Sequence, residues 1–322
     1  MNAGVSAPPS EVVDLRVDLA GVELEHPVLN GSGTFDAVAA LRTFGDEIRE
    51  CFPFSAFVSK TITVAPRGGN PPPRLWETPS GLINSIGLPN RGLTGFLEHD
   101  LPVLATLPVP LIVSVAGFSH DEFATLVQAV AERGEVAAQE LNVSCPNVKS
   151  GCVVGSEAGE MRALMHRVRP LTAKPLIVKL TPNVSEIGPV ARAAQDGGVD
   201  ALSLINTLRA VAVDPVSGAP WLGAGSGGLS GPAVRPVALA LTAEVAAATE
   251  LPLVGMGGIQ EGRHALDFIA QGASCVAVGT ESFRDPMTGT RVRDELAREL
   301  QSRSLRRVHD ARVTSRGARG SS

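Results

Sequence analysis

Eight short apolar runs, each followed by a longer stretch of helical periodicity, constrain this chain more than any other feature. The runs are "PVLN" (27–30), "AFVSK" (56–60), "LIVSV" (111–115), "AQELNV" (138–143), "LIVKL" (176–180), "ALSLIN" (201–206), "PLVGM" (252–256) and "CVAVG" (275–279). Helical patterns occupy 37–50, 91–101, 121–133, 157–172, 185–197, 233–249, 261–271 and 290–301. Strands that alternate with helices predict a parallel sheet, because each parallel pairing needs a crossover. Eight such units fit a TIM (β/α)8 barrel, whereas an open doubly wound sheet usually stops at fewer strands. A length of 322 residues suits one barrel domain. The expected division is a single domain over 1–301 and a solvated or disordered Arg/Ser-rich tail over 302–322.

Three connections are long: 61–90, 144–156 and 207–232. Each follows a strand and precedes a helix, which in a barrel gathers them on the C-terminal face, where active sites sit. A formal charge of -5 and a pI near 5.7 argue against nucleic acid or an anionic membrane as partner and favour a small substrate. The start lacks the basic and apolar segments of a signal peptide. The long uncharged, apolar stretch "LPVLATLPVPLIVSVAGF" holds three prolines and is a poor spanning helix. The expected location is the cytoplasm. Four cysteines, at 51, 145, 152 and 275, form no CxxC pair, so no metal site is expected. Cys275, inside "CVAVG", reads as a small core residue.

The chemistry-bearing residues cluster at strand ends. "GMGGI" (255–259) and "VGTES" (278–282) end the last two strands, where barrels habitually bind phosphate through backbone N–H groups. "GAGSGGLSG" (223–231) contains GxGxxG, but no strand precedes it, so it reads as a loop over the same phosphate and not as a dinucleotide fingerprint. Lys60 and Lys179 stand at inner strand ends, where a buried ammonium needs an anionic or polar partner. Asn84, Asn142, Asn147 and Asn206, with Thr207, offer paired donors and acceptors to a planar ligand. Cys145, between two of these amides in "ELNVSCPNVKSG", reads either as a buried small residue or as a nucleophile or acid/base; no histidine beside it favours the nucleophile, and proton transfer is preferred.

"PPPRLWETPSGLINSIGLPNRG", "ELNVSCPNVKSG", "VKLTPNV", "LINT", "GGLSGPA" and "GMGGI" occur in this order, and together the chain resembles the class 1 dihydroorotate dehydrogenases over about residues 12–300, most of all their NAD-linked subclass. The resemblance implies an FMN barrel that oxidises dihydroorotate to orotate in pyrimidine synthesis. It implies FMN contacts at Ser32, Lys60, Thr61, Ser114, Asn142, Lys179, Ile205, Gly231, Gly257, Gly258, Gly279 and Thr280. It implies orotate contacts at Lys60, Asn84, Ser85, Ile86, Gly87, Leu88, Asn142, Asn147, Asn206 and Thr207. Cys145 would take the C5 proton while C6 gives hydride to the flavin.

The subclass further implies a homo-oligomer joined to an electron-transfer subunit that carries FAD and a [2Fe-2S] cluster. Three positions depart from its pattern. Ser114 stands where an Asn is usual, Arg91 replaces a proline after "LPN", and "KSGCVVGSE" brings Cys152 where a glycine pair is usual. Two other readings remain open: a sibling flavin barrel acting on another dihydropyrimidine, and a flavoprotein that has lost turnover.

Overall fold

The computed structural model describes residues 13–144 and 154–312. Cys145, Asn147 and Cys152 lie outside them. Eight parallel strands form one sheet in the order Val28–Asn30, Cys275–Val278, Leu253–Met256, Ala201–Leu204, Leu176–Lys179, Val136–Asn142, Leu111–Val115 and Phe57–Val58, each pair of neighbours hydrogen-bonded. In chain order these are barrel strands one to eight, starting from Val28–Asn30 and ending at Cys275–Val278. All eight expected strands are present, within a few residues of their predicted limits.

The barrel closes between its first two strands through a side chain. Asn30 is fully buried; its Nδ2 donates to the Val58 carbonyl (2.9 Å) and its Oδ1 accepts from the Val58 N–H (2.8 Å). The amide thus reproduces the two bonds of a peptide neighbour where the backbones do not pair. Below it, Ser55 N–H donates to the Val28 carbonyl (3.1 Å).

The second strand is shorter than its sequence run, with only Phe57–Val58 regular. The ladder to the third strand continues as far as Ser59 N–H to Ile112 O (2.9 Å) and resumes at Ile62 N–H to Ser114 O (2.9 Å). Between them Ser114 N–H is taken by the Ser59 hydroxyl (3.0 Å). The irregularity leaves Lys60 and Thr61 outside the regular ladder, at the mouth.

Alternation along the strands sends Leu29, Val58, Ile112, Ala138, Ile177, Ala201, Val254 and Ala277 into the barrel interior, where they meet Leu19, Val22 and Leu24. Those three belong to an antiparallel hairpin, Val17–Leu19 with Val22–Leu24, that plugs the N-terminal end. Its two-residue turn, Ala20 and Gly21, has positive φ at both positions, the geometry that matches strand twist. The outer core lies between strands and helices and includes Leu126, Val127, Leu164, Met165, Phe268 and Leu296. Ser119 caps the helix His120–Ala131 by accepting from Glu122 N–H (3.2 Å), and Asp36 caps Ala37–Phe44 by accepting from Ala39 N–H (2.9 Å).

Four departures from expectation have local causes. The helix expected over 37–50 ends at Gly45, at φ 58°, and a separate turn spans Glu47–Glu50. The helix expected over 91–101 is Gly92–Gly95, then a π-helical turn over Phe96–Asp100, then Leu101–Leu104. The connections 61–90 and 207–232 are not loops alone. They build an antiparallel sheet in the order Leu208–Ala210, Gly227–Ser230, Gly81–Asn84 and Leu75–Thr78. The glycine-rich stretch read as a loop therefore includes a strand. Gly228 is required there, since a Cβ would fall 1.9 Å from Thr207 Oγ1.

The arginine-rich end is corrected as far as it is described. Val308 is buried in the main core, Asp14 N–H donates to the Arg306 carbonyl (2.9 Å), and Arg312 donates to Ser274 Oγ (2.6 Å). Residues 302–312 thus join the N-terminal segment to the barrel through these contacts, while most of their side chains stay exposed. Among the described residues no helix is long and apolar enough to cross a membrane.

The closure makes a first prediction. Asn30→Ala leaves a buried N–H and a buried carbonyl of Val58 unpaired, which should cost about 2–4 kcal/mol. Urea unfolding checks this; an unchanged midpoint and slope would show that the barrel closes without the amide.

Candidate active site

The mouth of the barrel is built from strand ends, each delivered by the parallel register. Asn142 ends the fourth strand and pairs in register with Lys179 at the end of the fifth, which pairs in turn with Ser203 on the sixth. Asn206 follows the sixth strand. Its Nδ2 donates to Asn142 Oδ1 (3.2 Å) and to Ser144 Oγ (2.8 Å), while its Oδ1 accepts from Thr207 N–H (2.8 Å). Asn142 Nδ2 points to Thr61 Oγ1 (3.4 Å) from the second strand. Two of the predicted amides and Thr61 are thereby joined in one hydrogen-bonded group.

Two lysines stand at the neighbouring strand ends, neither hydrogen-bonded into this group among the described residues. Lys179 is 7% exposed and its ammonium makes no hydrogen bond or ion pair among the described residues. A nearly buried cation of this kind is costly unless an anion or polar ligand meets it. Lys60 reaches solvent at the rim, beside Gly33, where a Cβ would lie 3.3 Å from its Nζ. The surrounding protein lowers its pKa from the ordinary lysine value by desolvation, and the Asp36 carboxylate partly opposes that shift.

On the opposite rim the last two strands end in backbone. Gly257 and Gly258 have φ of 134° and 74°, and Gly231 has 91°. A Cβ at Gly258 would stand 2.8 Å from the Gly231 carbonyl and from Arg235 Cβ. Among the described residues the N–H groups of Gly258 and Gly279 find no protein acceptor. Gly231 sits 3.7 Å from the Thr280 methyl group, measured from the position of its absent Cβ, and Thr280 Oγ1 donates to Ser230 Oγ (2.8 Å). Ile205 is buried beside Gly257. Free N–H donors on an open glycine cradle are what a phosphate group needs, so this rim fits the phosphate of FMN.

The remaining predicted residues occupy two places. Ser32 lies at the first strand end, its hydroxyl donating to the Ser59 carbonyl (3.0 Å) and lying 3.1 Å from Thr61 Oγ1. Ser114 lies a layer deeper, fully buried, its hydroxyl 2.9 Å from Thr61 Oγ1 and 3.1 Å from Glu140 Oε1. Asn84 belongs to the overlying sheet, where Nδ2 donates to the Gly228 carbonyl (3.1 Å). Ser85, Ile86, Gly87 and Leu88 run on from it. Asn70 holds this segment by donating its N–H to the Ile86 carbonyl (3.0 Å) and its Nδ2 to Ser85 Oγ (3.0 Å), with Gly87 and Leu88 at φ 77° and 53°.

Several residues that position this site were not found from sequence. Glu140 and Ser203 form a buried pair beneath the amides (2.9 Å), Asn70 and Asn90 shape the 84–90 segment, and Asn183 Nδ2 donates to the Thr207 carbonyl (3.0 Å). Glu140 left one signal: in "AQELN" it shares the inward phase of Ala138 and Asn142, and a carboxylate at an interior barrel position is anomalous. The other asparagines stand in loops, where nothing distinguishes them from ordinary turn residues. Of the cysteines described, Cys51 is exposed, and Cys275 is buried as expected, its thiol pushed up to about 12 by desolvation.

Comparison with known proteins agrees with this geometry. The family profile "Dihydroorotate dehydrogenase" matches residues 14–300. A protein of Desulforudis audaxviator is 45% identical and one of Citrifermentans bemidjiense 42%, each over 92% of this chain and 96% of the relative; both are named "Dihydroorotate dehydrogenase B (NAD(+)), catalytic subunit". The same name belongs to a Malacoplasma penetrans protein at 39% identity with the same coverage. The crystal structure of DHODH in complex with ferulenol from Eimeria tenella superposes with a TM-score of 0.75 at 23% identity, over 96% of this chain and 89% of that one, and so shares the fold. Matched from the N-terminal segment through the last barrel helix, this chain belongs to the dihydroorotate dehydrogenase family.

Proposed function

We propose that this chain is the FMN-bearing catalytic subunit of an NAD-linked dihydroorotate dehydrogenase, oxidising (S)-dihydroorotate to orotate in cytoplasmic UMP synthesis. The observation that carries the reading is the convergence of Lys60, Asn142, Lys179 and Asn206 on one mouth whose far rim is the Gly231, Gly257 and Gly258 cradle. Residues 1–301 would form the flavin domain. The backbone donors at Gly257, Gly258, Gly279 and Thr280 would hold the phosphate, and Ser32, Lys60, Thr61, Ser114, Asn142, Lys179 and Ile205 would line the remainder of the cofactor.

FMN, when bound, supplies a hydride acceptor for C6 of the substrate. The chain supplies orientation and a base. Asn84 to Leu88, Asn142, Asn147, Asn206 and Thr207 present donors and acceptors in the pattern that a planar pyrimidine with imide and carboxylate groups requires. Lys60 would pair with the substrate carboxylate. Cys145 would take the C5 proton; it directly follows Ser144, whose hydroxyl accepts from Asn206 within the amide group.

Anaerobic mixing tests the substrate. Loss of the oxidised-flavin absorbance should follow dihydroorotate and not dihydrouracil. Bleaching by dihydrouracil alone would move the chain to the reading as a barrel for another dihydropyrimidine, and bleaching by neither to that of a flavoprotein without turnover.

Gly258→Val should weaken FMN by roughly tenfold or more, because hydrogen bonds to a charged group are worth about 1.5–3 kcal/mol each. Titration of the apoprotein by flavin fluorescence measures it, and undiminished affinity would place the phosphate elsewhere.

Cys145→Ala should retain orotate binding and slow flavin reduction by roughly 100-fold or more, the usual contribution of a positioned acid/base group. Cys145→Ser should regain rate only at high pH, since a hydroxyl gives up its proton less readily than a thiol. Normal reduction by Cys145→Ala would shift the base to Cys152.

The expected assembly is a homo-oligomer with an electron-transfer subunit bearing FAD and [2Fe-2S]. The purified chain should then pass electrons from dihydroorotate to artificial dyes and not to NAD. Brisk NAD reduction by the single chain would overturn the two-subunit scheme, and efficient fumarate turnover would place the protein in the other class 1 branch.

A further inference from the structure

Beneath the amide group lies a carboxylate that the proposed chemistry does not use. Glu140 is 3% exposed, inside the barrel. Its Oε1 accepts from Ser114 Oγ (3.1 Å) and its Oε2 from Ser203 Oγ (2.9 Å). No cation stands within ion-pair distance among the described residues. From Ser114 the contacts run upward through Thr61 Oγ1 (2.9 Å) to Asn142 Nδ2 (3.4 Å), and from Asn142 Oδ1 to Asn206 Nδ2 (3.2 Å).

The direction of this chain is fixed by its lower end. A hydroxyl has one proton to give. If the Ser114 proton goes to an ionised Glu140, Ser114 can only accept from Thr61; whether the Thr61 proton goes there (2.9 Å) or to Ser32 Oγ (3.1 Å), whose own proton is given to the Ser59 carbonyl, the Thr61 oxygen is left as acceptor for the Asn142 amide. Asn142 then turns its carbonyl oxygen to Asn206. A neutral acid that donated to Ser114 would reverse the first two links and leave Ser32 Oγ (3.1 Å) as the only hydroxyl within reach to hold the Thr61 proton away from the Asn142 amino group, among the described residues.

We propose that Glu140 is a positioning residue that, through Ser114 and Thr61, orients the Asn142 amide and holds a buried negative charge under the ligand layer. The inference rests on the FMN reading above. A fixed negative charge opposes the arrival of electrons in a low-dielectric site, so it should lower the potential of the bound flavin. The Ser114 position, which departs from the subclass pattern, becomes the link that carries the orientation upward.

Two variants of the full chain loaded with FMN separate charge from orientation. Glu140→Gln keeps shape and can still accept from Ser114 while donating to Ser203, so it removes the charge alone. It should favour flavin reduction at least tenfold, a positive shift of about 30 mV for a two-electron couple, read by dye-coupled redox titration. Ser114→Ala keeps the carboxylate and cuts the link. It should raise about tenfold the orotate concentration that half-saturates the change in the flavin spectrum.

A Glu140→Gln protein with the wild-type potential, together with a Ser114→Ala protein that binds orotate as the wild type does, would reduce Glu140 to a packing role even if both melt earlier. Should Glu140→Gln fail to fold, Ser114→Ala decides by the same titration. If the wild-type chain itself takes up no FMN, the cofactor reading falls, and this inference with it; unaltered variants of a yellow protein overturn the inference alone.

Discussion

Where the ladder between the second and third barrel strands would pass through the Ser59 carbonyl, the Ser59 hydroxyl accepts the Ser114 N–H instead (3.0 Å). The freed carbonyl accepts from Ser32 on the first strand (3.0 Å). One exchange of acceptor therefore ties three strands together and interrupts the regular pleat at Lys60 and Thr61. Continued alternation would have committed both side chains to the barrel wall or interior. Interruption delivers the Lys60 ammonium to the rim and sets Thr61 between Ser32, Ser114 and Asn142. Asn30 works in the same way one strand earlier, replacing a peptide neighbour by an amide side chain. The mouth has its shape because side chains here do what backbone does elsewhere in the sheet.

The barrel interior is graded in polarity along its axis. At the N-terminal end Leu19, Val22 and Leu24 of the hairpin meet an aliphatic layer and exclude water. Above it come Ser114, Glu140 and Ser203, polar groups that satisfy one another. Above these stand amides and ammonium groups with capacity left over. Buried polar groups are tolerated when paired and costly when not. Satisfaction in the middle layer and surplus in the upper one therefore mark where structure ends and binding begins. Lys179 lies on that border, nearly buried and without a protein partner among the described residues.

Much of this was legible from the chain itself, for a physical reason. The eight strands are buried on both faces, so they appear as continuous apolar runs such as "LIVSV" and "CVAVG", and the crossover helices follow from parallel pairing. Strand-end residues such as Lys60, Asn142 and Asn206 were readable because a polar group at the end of such a run is conspicuous. The antiparallel sheet was not legible: "GLIN" and "GGLS" are short and glycine-bearing, and their pairing joins Gly81–Asn84 to Gly227–Ser230 across more than a hundred residues. The tail misled for a different reason. Its arginines suggested solvation and are exposed, yet buried Val308, the Asp14–Arg306 backbone bond and the Arg312–Ser274 bond together dock the turn. Composition averages over a segment, while docking depends on single residues.

The overlying sheet depends on the barrel for its place. Its own apolar cluster is small, with Ile83, Ala212 and Leu222 at the centre and Trp76 packed edge-on against Trp221 at 5.1 Å. A core of that size does not hold four short strands alone. What fixes the sheet is close backbone approach: Gly228 against Thr207, the Ser230 hydroxyl against Thr280, and Gly231 against Gly258. Each contact brings a glycine or hydroxyl of the sheet onto a barrel-strand end that also lines the mouth. A ligand that occupies the Gly258 cradle and reaches the Asn84 segment touches both layers, so its binding free energy adds to the contacts that keep them together. Binding and the seating of this sheet are in that sense one equilibrium, and glycines that look like loop residues in sequence are the points where the two layers meet.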